Sequence, residues 1–270
     1  MSHELILTPH EIDRIYNLVE ALTGNCQQKE YRKEFILSNV MRRLRVKKYL
    51  DLENYIGFAL TNDEEKAYLL NSVTIHTTDW FRENEHYHKF ANLVATRFKD
   101  EPKLFIQSCG CSSGEELYSF GLILEDKRLS QNNSFDYQLE GFDIDPISIF
   151  EATKAIYESK DRQNIPFSYH RFLHLDYENN IMTIDANIVQ RAKFYTDNLL
   201  SLKATQESQF HLLSCRNVLI YFSPDKISQI LDSLARRLLT GGILILGHGD
   251  NIQVKHPLLK PLEGSLYLRI

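Results

Sequence analysis

From about residue 100 onward, short apolar runs alternate with amphipathic stretches, and this rhythm restricts the possible folds more than any other feature of the chain. "KLFIQSC" precedes "GEELYSFGLILEDKRL", "YQLEGFDID" precedes "PISIFEATKAIY", and "FHLLSC" and "ILILGH" flank "SPDKISQILDSLARRLL", where Ser223 is placed as N-cap with Pro224 behind it. Repeated strand–helix alternation predicts an α/β fold, a doubly wound, Rossmann-like parallel sheet with helices on both faces. Ligands of such sheets bind at the carboxyl ends of the strands. "SLYLRI" reads as the last strand, which leaves no room for an appended domain.

The earlier part of the chain has a different texture. In "TPHEIDRIYNLVEALTG", Thr8 is placed as N-cap, Pro9 at the first helical position and Glu11 to complete a capping box. Ile12, Ile15, Tyr16, Val19 and Leu22 share one face of that helix, and Gly24 ends it. "KEYRKEFILSNVMRRLRVKK", "LENYIGFAL" and "DEEKAYLLNSV" follow with almost no Gly or Pro. A small all-helical domain over residues 1–75 is therefore expected, then a second domain over 76–270, with segment 73–85 joining them. Within the second, an insert at about 158–195 carries "NIMTI" and "NIVQRAKFY", read as strands of a small antiparallel β-subdomain.

Composition sets outer bounds. A chain of 270 residues with 43% hydrophobic content can fill two modest cores. Its net charge of -5 gives no global attraction to nucleic acid or an anionic membrane. No basic-then-apolar leader and no run of about 18 apolar residues occurs, so the expectation is a cytoplasmic protein without membrane insertion. Cys26, Cys109, Cys111 and Cys215 are too irregular for a disulfide framework, and Cys109-x-Cys111 has no second pair or nearby His for zinc. Free thiols and no metal are expected.

Several stretches carry polar groups that a core does not require. "SCGCSSGEELYSF" puts Gly110 and Gly114 in a strand-to-helix turn and Glu115 and Glu116 at the helix start. Acids there repel a phosphate and suit a cation or an amino group, although acids also simply stabilise a helix N-terminus. "GFDID" places Asp143 at a strand tip, where an acid commonly accepts hydrogen bonds from ribose hydroxyls. Together these suit a cationic nucleoside without phosphate, such as S-adenosylmethionine. "VTIHTTDWFRE" gathers Thr74, His76, Thr77, Thr78, Asp79 and Arg82 beside Trp80, the single tryptophan. "SCRNVLIYF" breaks an apolar run with Arg216 and Asn217, as expected where a strand ends in an active site.

"VTIHTTDWFRE", "GCSSGEELYS", "GFDIDPISIFEATKAIY", "TDNLL", "SCRNVLIYF" and "GGILILGH" occur in the order found in the CheR family of chemotaxis-receptor glutamate methyltransferases, which this chain resembles over nearly its whole length. "RRLRVKKYLDLENYIGFAL" is similar to that family's helical domain. The resemblance implies transfer of methyl groups from S-adenosylmethionine to γ-carboxylates of glutamates on cytoplasmic chemoreceptor helices, leaving S-adenosylhomocysteine. By similarity Glu115 lies near the methionine amino group, Asp143 holds the ribose, and Asn198 and Leu199 line the adenine side. Thr78, Arg82 and His76 approach from the 73–85 segment, and Arg216, Asn217 and Tyr221 stand near the transferred methyl. Arg82 and Tyr221 are the expected catalytic pair, orienting the substrate carboxylate.

Three positions depart from the family pattern: His76 where Asn is frequent, Leu117 where proline follows the two glutamates, and Gly249-Asp250 where Ser-Glu is common. A basic stretch of Lys29, Arg32, Lys33, Arg42, Arg43, Arg45, Lys47 and Lys48 against Glu30 and Glu34 gives a local +6, suited to acidic receptor helices, with Arg42, Arg43 and Arg45 as the expected substrate-binding residues. It lacks the aromatic interleaving of a nucleic-acid surface. In some family members the β-subdomain grips a receptor C-terminal peptide through a glycine-rich turn. "HLDYENNIMTIDANIVQR" contains no glycine, so no tight docking of such a tail is expected; no heptad or apolar stripe demands a dimer, so a monomer is expected. The competing readings are a non-catalytic, cofactor-binding signalling adaptor and methylation of a small carboxylic acid.

Overall fold

The computed structural model describes residues 7–25, 30–131, 135–202, 209–250 and 255–270. The chain divides into two compact units, one of Met1–Ile75 with Asp145–Ile147 and Tyr221–Ser223, the other of the remainder.

The first unit is built on four helices, α1 (Pro9–Thr23), α2 (Glu30–Val46), α3 (Leu52–Thr61) and α4 (Asp63–Val73). The α1 capping box forms: the Thr8 hydroxyl accepts the Glu11 N–H at 3.3 Å and the Glu11 carboxylate accepts the Thr8 N–H at 2.8 Å. Gly24 closes that helix at φ 77°, a conformation that favours glycine. Asp51 caps α3 and Asn62 caps α4 through their side chains. Ile15, Val19, Ile36, Val40, Leu44, Leu52, Tyr55 and Leu69 form the shared core.

A carboxylate is embedded in that core. Glu65 of α4 is fully buried and accepts two hydrogen bonds from Arg43, at 3.0 and 2.6 Å, and one from the Tyr55 hydroxyl at 3.0 Å. Lys47 approaches the same carboxylate at 3.2 Å. A buried charge without partners would be severely destabilising, so this cluster sets how α2, α3 and α4 register against one another.

In the second unit the order is α5 (Glu85–Ala95), β1 (Lys103–Cys109), α6 (Glu115–Ser130), β2 (Asp136–Asp143), α7 (Pro146–Lys154), β3 (Ile156–Glu158), β4 (Leu173–Asp176), β5 (Ile181–Ile184), α8 (Ala186–Val189), β6 (Ala192–Thr196), β7 (Phe210–Cys215), α9 (Pro224–Arg237), β8 (Leu238–Leu246), β9 (Leu259–Pro261) and β10 (Leu266–Arg269); the first residues of α7 fall in the other unit. The main sheet has the order β6-β2-β1-β7-β8-β10-β9, parallel from β6 to β8 and closed by antiparallel β10 and β9. The Rossmann-like α/β fold expected from the strand–helix rhythm is present. The strands β3, β5 and β4 form a separate antiparallel sheet.

One expectation is corrected. "NIVQRAKFY" does not join the small sheet: Ala192–Thr196 pairs in parallel with Leu139–Asp143 and extends the main sheet. A short amphipathic run carries no mark of which sheet it will join, and the long segment 144–191, with α7 and the small sheet, supplies the crossover that a parallel pairing of β2 with β6 needs. The helix α5 was also not anticipated from the apolar pattern.

β1 lies between β2 and β7, so the chain leaves it on one side and returns on the other. At such a switch point the loops following the two strands run to opposite faces, and ligands of open α/β sheets bind beside the strands' carboxyl ends there. Ile106, Leu139, Leu212, Ile243 and Ile245 are buried in the strands of this sheet, packed with Phe90, Phe120 and Leu122 from the covering helices.

Candidate active site

The turn after β1 is drawn over the end of β2. Both the Gly110 and the Cys111 N–H donate to the Phe142 carbonyl, at 2.8 and 2.9 Å, and the Ser112 N–H donates to Asp143 Oδ2 at 2.9 Å. Gly110 takes φ 81°, and a Cβ there would meet Val218 at 2.7 Å, so this position requires glycine twice over. The end of β6 is tied in as well, since the Asp197 N–H donates to the Asp143 carbonyl at 3.0 Å and the Asn198 side chain accepts the Leu200 N–H at 2.9 Å. Asp143, Asn198 and the buried Leu199 thus stand together on adjacent strand ends.

The two glutamates that open α6 diverge. Glu115 accepts the Ser113 hydroxyl at 2.9 Å to each oxygen and forms no ion pair with a basic side chain among the described residues. Burial pushes its pKa up, and the carboxylates of Asp161 and Asp79 add to the push. Glu116 meets a cation supplied by the protein, accepting from Arg216 Nη1 at 2.9 Å and from the Ser108 hydroxyl at 2.7 Å. Leu117, the departure from the family's proline, is fully buried in the core, and the helix begins at Glu115.

Arg216 is 7% exposed and faces inward. Its guanidinium contacts Glu116, the Tyr87 hydroxyl at 3.2 Å, Glu83 at 3.3 Å and the Arg82 carbonyl. Burial works against its charge, but Glu116, Tyr87 and Glu83 outweigh that and raise its pKa. Asn217, at φ 59°, sends its carboxamide to Glu83 at 3.0 Å and its N–H to Asp250 at 2.8 Å. Asp250 also accepts the backbone N–H groups of Leu219, Ile220 and Gly247, at 2.9, 3.3 and 2.8 Å, which shapes the turn after β7. A Cβ on Gly249 would sit 2.7 Å from Asn217 Oδ1, so the serine common in the family would press on this carboxamide.

From the 73–85 segment, His76 Nδ1 lies 3.1 Å from the Ser148 hydroxyl, and Arg82 Nη1 donates to the Thr77 carbonyl at 2.5 Å; Thr78 is half-buried. Tyr221 belongs to the first unit, with the Arg32 guanidinium 4.4 Å from its ring centroid. In that unit Arg42 and Arg45 are exposed, whereas Arg43 is committed to Glu65. Lys29 lies outside the described residues, as does Cys26, while Cys109, Cys111 and Cys215 are buried free thiols. Sequence reasoning missed Glu83 and Ser112; each adjoins a residue it singled out, but their partners lie far along the chain.

This fold, with its switch point between β1 and β7, places the second unit in the class of Rossmann-like α/β domains. Residues 76–267 match the family model described as CheR methyltransferase, SAM binding domain. The chain belongs to the CheR methyltransferase family. It is 25% identical over 259 residues to the chemotaxis protein methyltransferase of Borreliella burgdorferi, covering 92% of this chain and 90% of that one. To the chemotaxis protein methyltransferase of Escherichia coli it is 25% identical over 256 residues, with 93% and 87% coverage. Among solved structures, an S-adenosylmethionine-dependent methyltransferase from Geobacter sulfurreducens in complex with S-adenosyl-L-homocysteine matches with TM-score 0.33 and 12% identity, over 58% of this chain and 47% of that one. No helix among the described residues is long and apolar enough to cross a membrane.

The donor set fits the cofactor of this family. Glu115 has no basic side chain paired to it among the described residues, and the buried Ser112 hydroxyl makes no hydrogen bond. Beside the strand-tip carboxylate of Asp143 they leave hydrogen-bonding capacity and negative charge, which a cationic ligand bearing an ammonium group and ribose hydroxyls would satisfy.

Proposed function

We propose that the protein methylates glutamate γ-carboxylates on the cytoplasmic helices of chemoreceptors, forming methyl esters in the adaptation step of a chemotaxis-type pathway. The observation that carries this is the family match over residues 76–267 together with the acidic, strand-end site at Glu115 and Asp143. S-adenosylmethionine supplies a methyl group on a sulfonium centre, and in the transfer an O–CH3 bond forms as the S–CH3 bond breaks, giving the ester and neutral S-adenosylhomocysteine.

No general base is required, because a glutamate with an ordinary pKa of about 4.3 is already a carboxylate at neutral pH. The residues of the chain therefore act by position and water exclusion. Asp143 accepts from the ribose, Glu115 faces the amino group, and Asn198 and Leu199 line the adenine side, with His76 and Thr78 approaching from the 73–85 segment. Arg82 orients the substrate carboxylate, and the family resemblance assigns Tyr221 the same role. Arg216 is a positioning residue, while Asn217 borders the methyl position. No metal enters this scheme.

The exposed Arg42 and Arg45 supply a cationic face for Glu-rich receptor helices. Tethering through a receptor C-terminal peptide is not part of the proposal, since the turns of the small sheet hold no glycine. The test is transfer of labelled methyl from S-adenosylmethionine to chemoreceptor cytoplasmic fragments, scored as alkali-labile methanol, with Asp143→Ala as control. Label that collapses in the variant supports the reading. Cofactor binding without label on any receptor overturns it in favour of a signalling adaptor.

A further inference from the structure

The corner that carries Arg82 is made in an unusual way. Phe81 and Glu83, on either side of it, both lie in the left-handed region, at φ 50° and 57°, and Asn217 at the exit of β7 does so at φ 59°. Such conformations are unfavourable for residues with a side chain and persist where the surroundings over-determine them. The surroundings are specific. The Phe81 N–H donates to the Ser119 hydroxyl at 3.1 Å, and Arg216 donates to the Arg82 carbonyl.

The Glu83 carboxylate joins three elements at this corner. Its Oε1 accepts the Asn217 carboxamide at 3.0 Å, its Oε2 accepts the His248 N–H at 3.2 Å, and Arg216 Nη2 lies 3.3 Å from Oε2. Burial alone would raise its pKa, but Asn217, Arg216 and the His248 N–H reverse that and keep it ionised. Glu116 holds the other side of Arg216 at 2.9 Å. The backbone on both sides of Arg82 is thereby fastened to α6, β7 and the turn after β8.

Glu83, His86 and His248 also bring potential metal-ligand atoms within 4.8 Å of one another. Both oxygens of Glu83 already accept hydrogen bonds and the Arg216 cation stands beside one of them, so the geometry is that of an internal latch rather than a metal centre.

We infer that Glu83 is a positioning residue of the active site: by bridging Arg216, Asn217 and His248 it holds the Phe81–Glu83 corner in its strained form and so aims the Arg82 side chain. It acts through Arg82, because both of its carboxylate oxygens are taken by protein donors. The kinetic consequence rests on the proposed methyl transfer; the structural consequence does not.

The test uses Glu83→Gln in the full chain, because glutamine keeps the volume and one acceptor oxygen while removing the charge. In the cofactor-free protein, amide hydrogen exchange at residues 81–84 and 217–218 should quicken by about tenfold or more, with exchange in the central strands unchanged. In the transfer assay kcat should fall by about tenfold or more while S-adenosylhomocysteine affinity, measured by calorimetry, stays within about threefold. On an Arg82→Ala background the same change should cost nothing further, since the two residues act as one unit. Exchange that is unaltered, or raised throughout the sheet, overturns the inference. So does a loss that multiplies with that of Arg82→Ala. A wild-type protein that transfers no methyl refutes the functional reading instead, and hydrogen exchange then decides the latch alone.

Discussion

The Ser112 N–H donates to the Asp143 carboxylate at 2.9 Å, joining residues 31 positions apart across the tips of β1 and β2. One carboxylate thus shapes the glycine turn and, in the proposed function, holds the ribose. Asp143→Ala removes both functions, and S-adenosylhomocysteine affinity is expected to fall at least about tenfold, the scale of a lost charge-assisted hydrogen bond. Calorimetric titration measures this, and affinity within twofold of wild type would count against Asp143 as a cofactor ligand.

Glu115 gives a second prediction, in which stability and binding move in opposite directions. Its pKa is raised first by burial, so its contribution to stability is present below the ordinary carboxylate pKa and lost as pH rises through the raised value. At neutral pH the ionised group is a cost to the cofactor-free fold. Glu115→Gln should stabilise the cofactor-free protein, raising its melting temperature, while weakening S-adenosylmethionine binding about tenfold or more. Thermal denaturation with and without the cofactor reads both effects. A melting temperature that falls would contradict the electrostatic account.

A third concerns His86, which is 1% exposed and whose pKa is lowered from 6.5 to about 4, first by burial and then by Arg216. Above pH 6.5 it is neutral in both folded and unfolded chains; below that, the unfolded chain takes up a proton that the folded one refuses. Stability should therefore decline between pH 6.5 and about 4. The share of this residue between pH 7 and 5 is on the order of 2 kcal/mol. Urea denaturation at the two pH values, compared with His86→Asn, isolates it: the variant should lose that part of the pH dependence.

The arginines of α2 divide into two kinds. Arg43 pairs with fully buried Glu65, so Arg43→Ala strips two charge-assisted hydrogen bonds from that carboxylate, leaves it to Lys47 and Tyr55, and should cost about 1.5–3 kcal/mol of stability in the helical unit. Arg42 and Arg45 are exposed. Reversing both to glutamate should leave the melting temperature nearly unchanged but raise KM for receptor fragments and flatten its salt dependence. Equal effects of the two kinds of variant on stability would refute the division.

Sequence patterning alone determined a good deal. The capping box at Thr8, the strand–helix rhythm after residue 100 and the turn at Gly110 are local features, because caps, periodicity and a left-handed backbone depend on residues within a few positions of one another. The polar break at Arg216 and Asn217 also marked where β7 ends.

Only the tertiary structure decided what those polar residues meet. It sent Ala192–Thr196 to the edge of the main sheet, turned Arg216 inward onto Glu83 and Glu116, committed Arg43 to Glu65, and left Glu115 without a basic partner among the described residues. The physical reason is range. Secondary structure follows from neighbours along the chain, whereas a buried charge is satisfied by whichever opposite charge the fold delivers, and Arg216 finds Glu116 exactly 100 positions away.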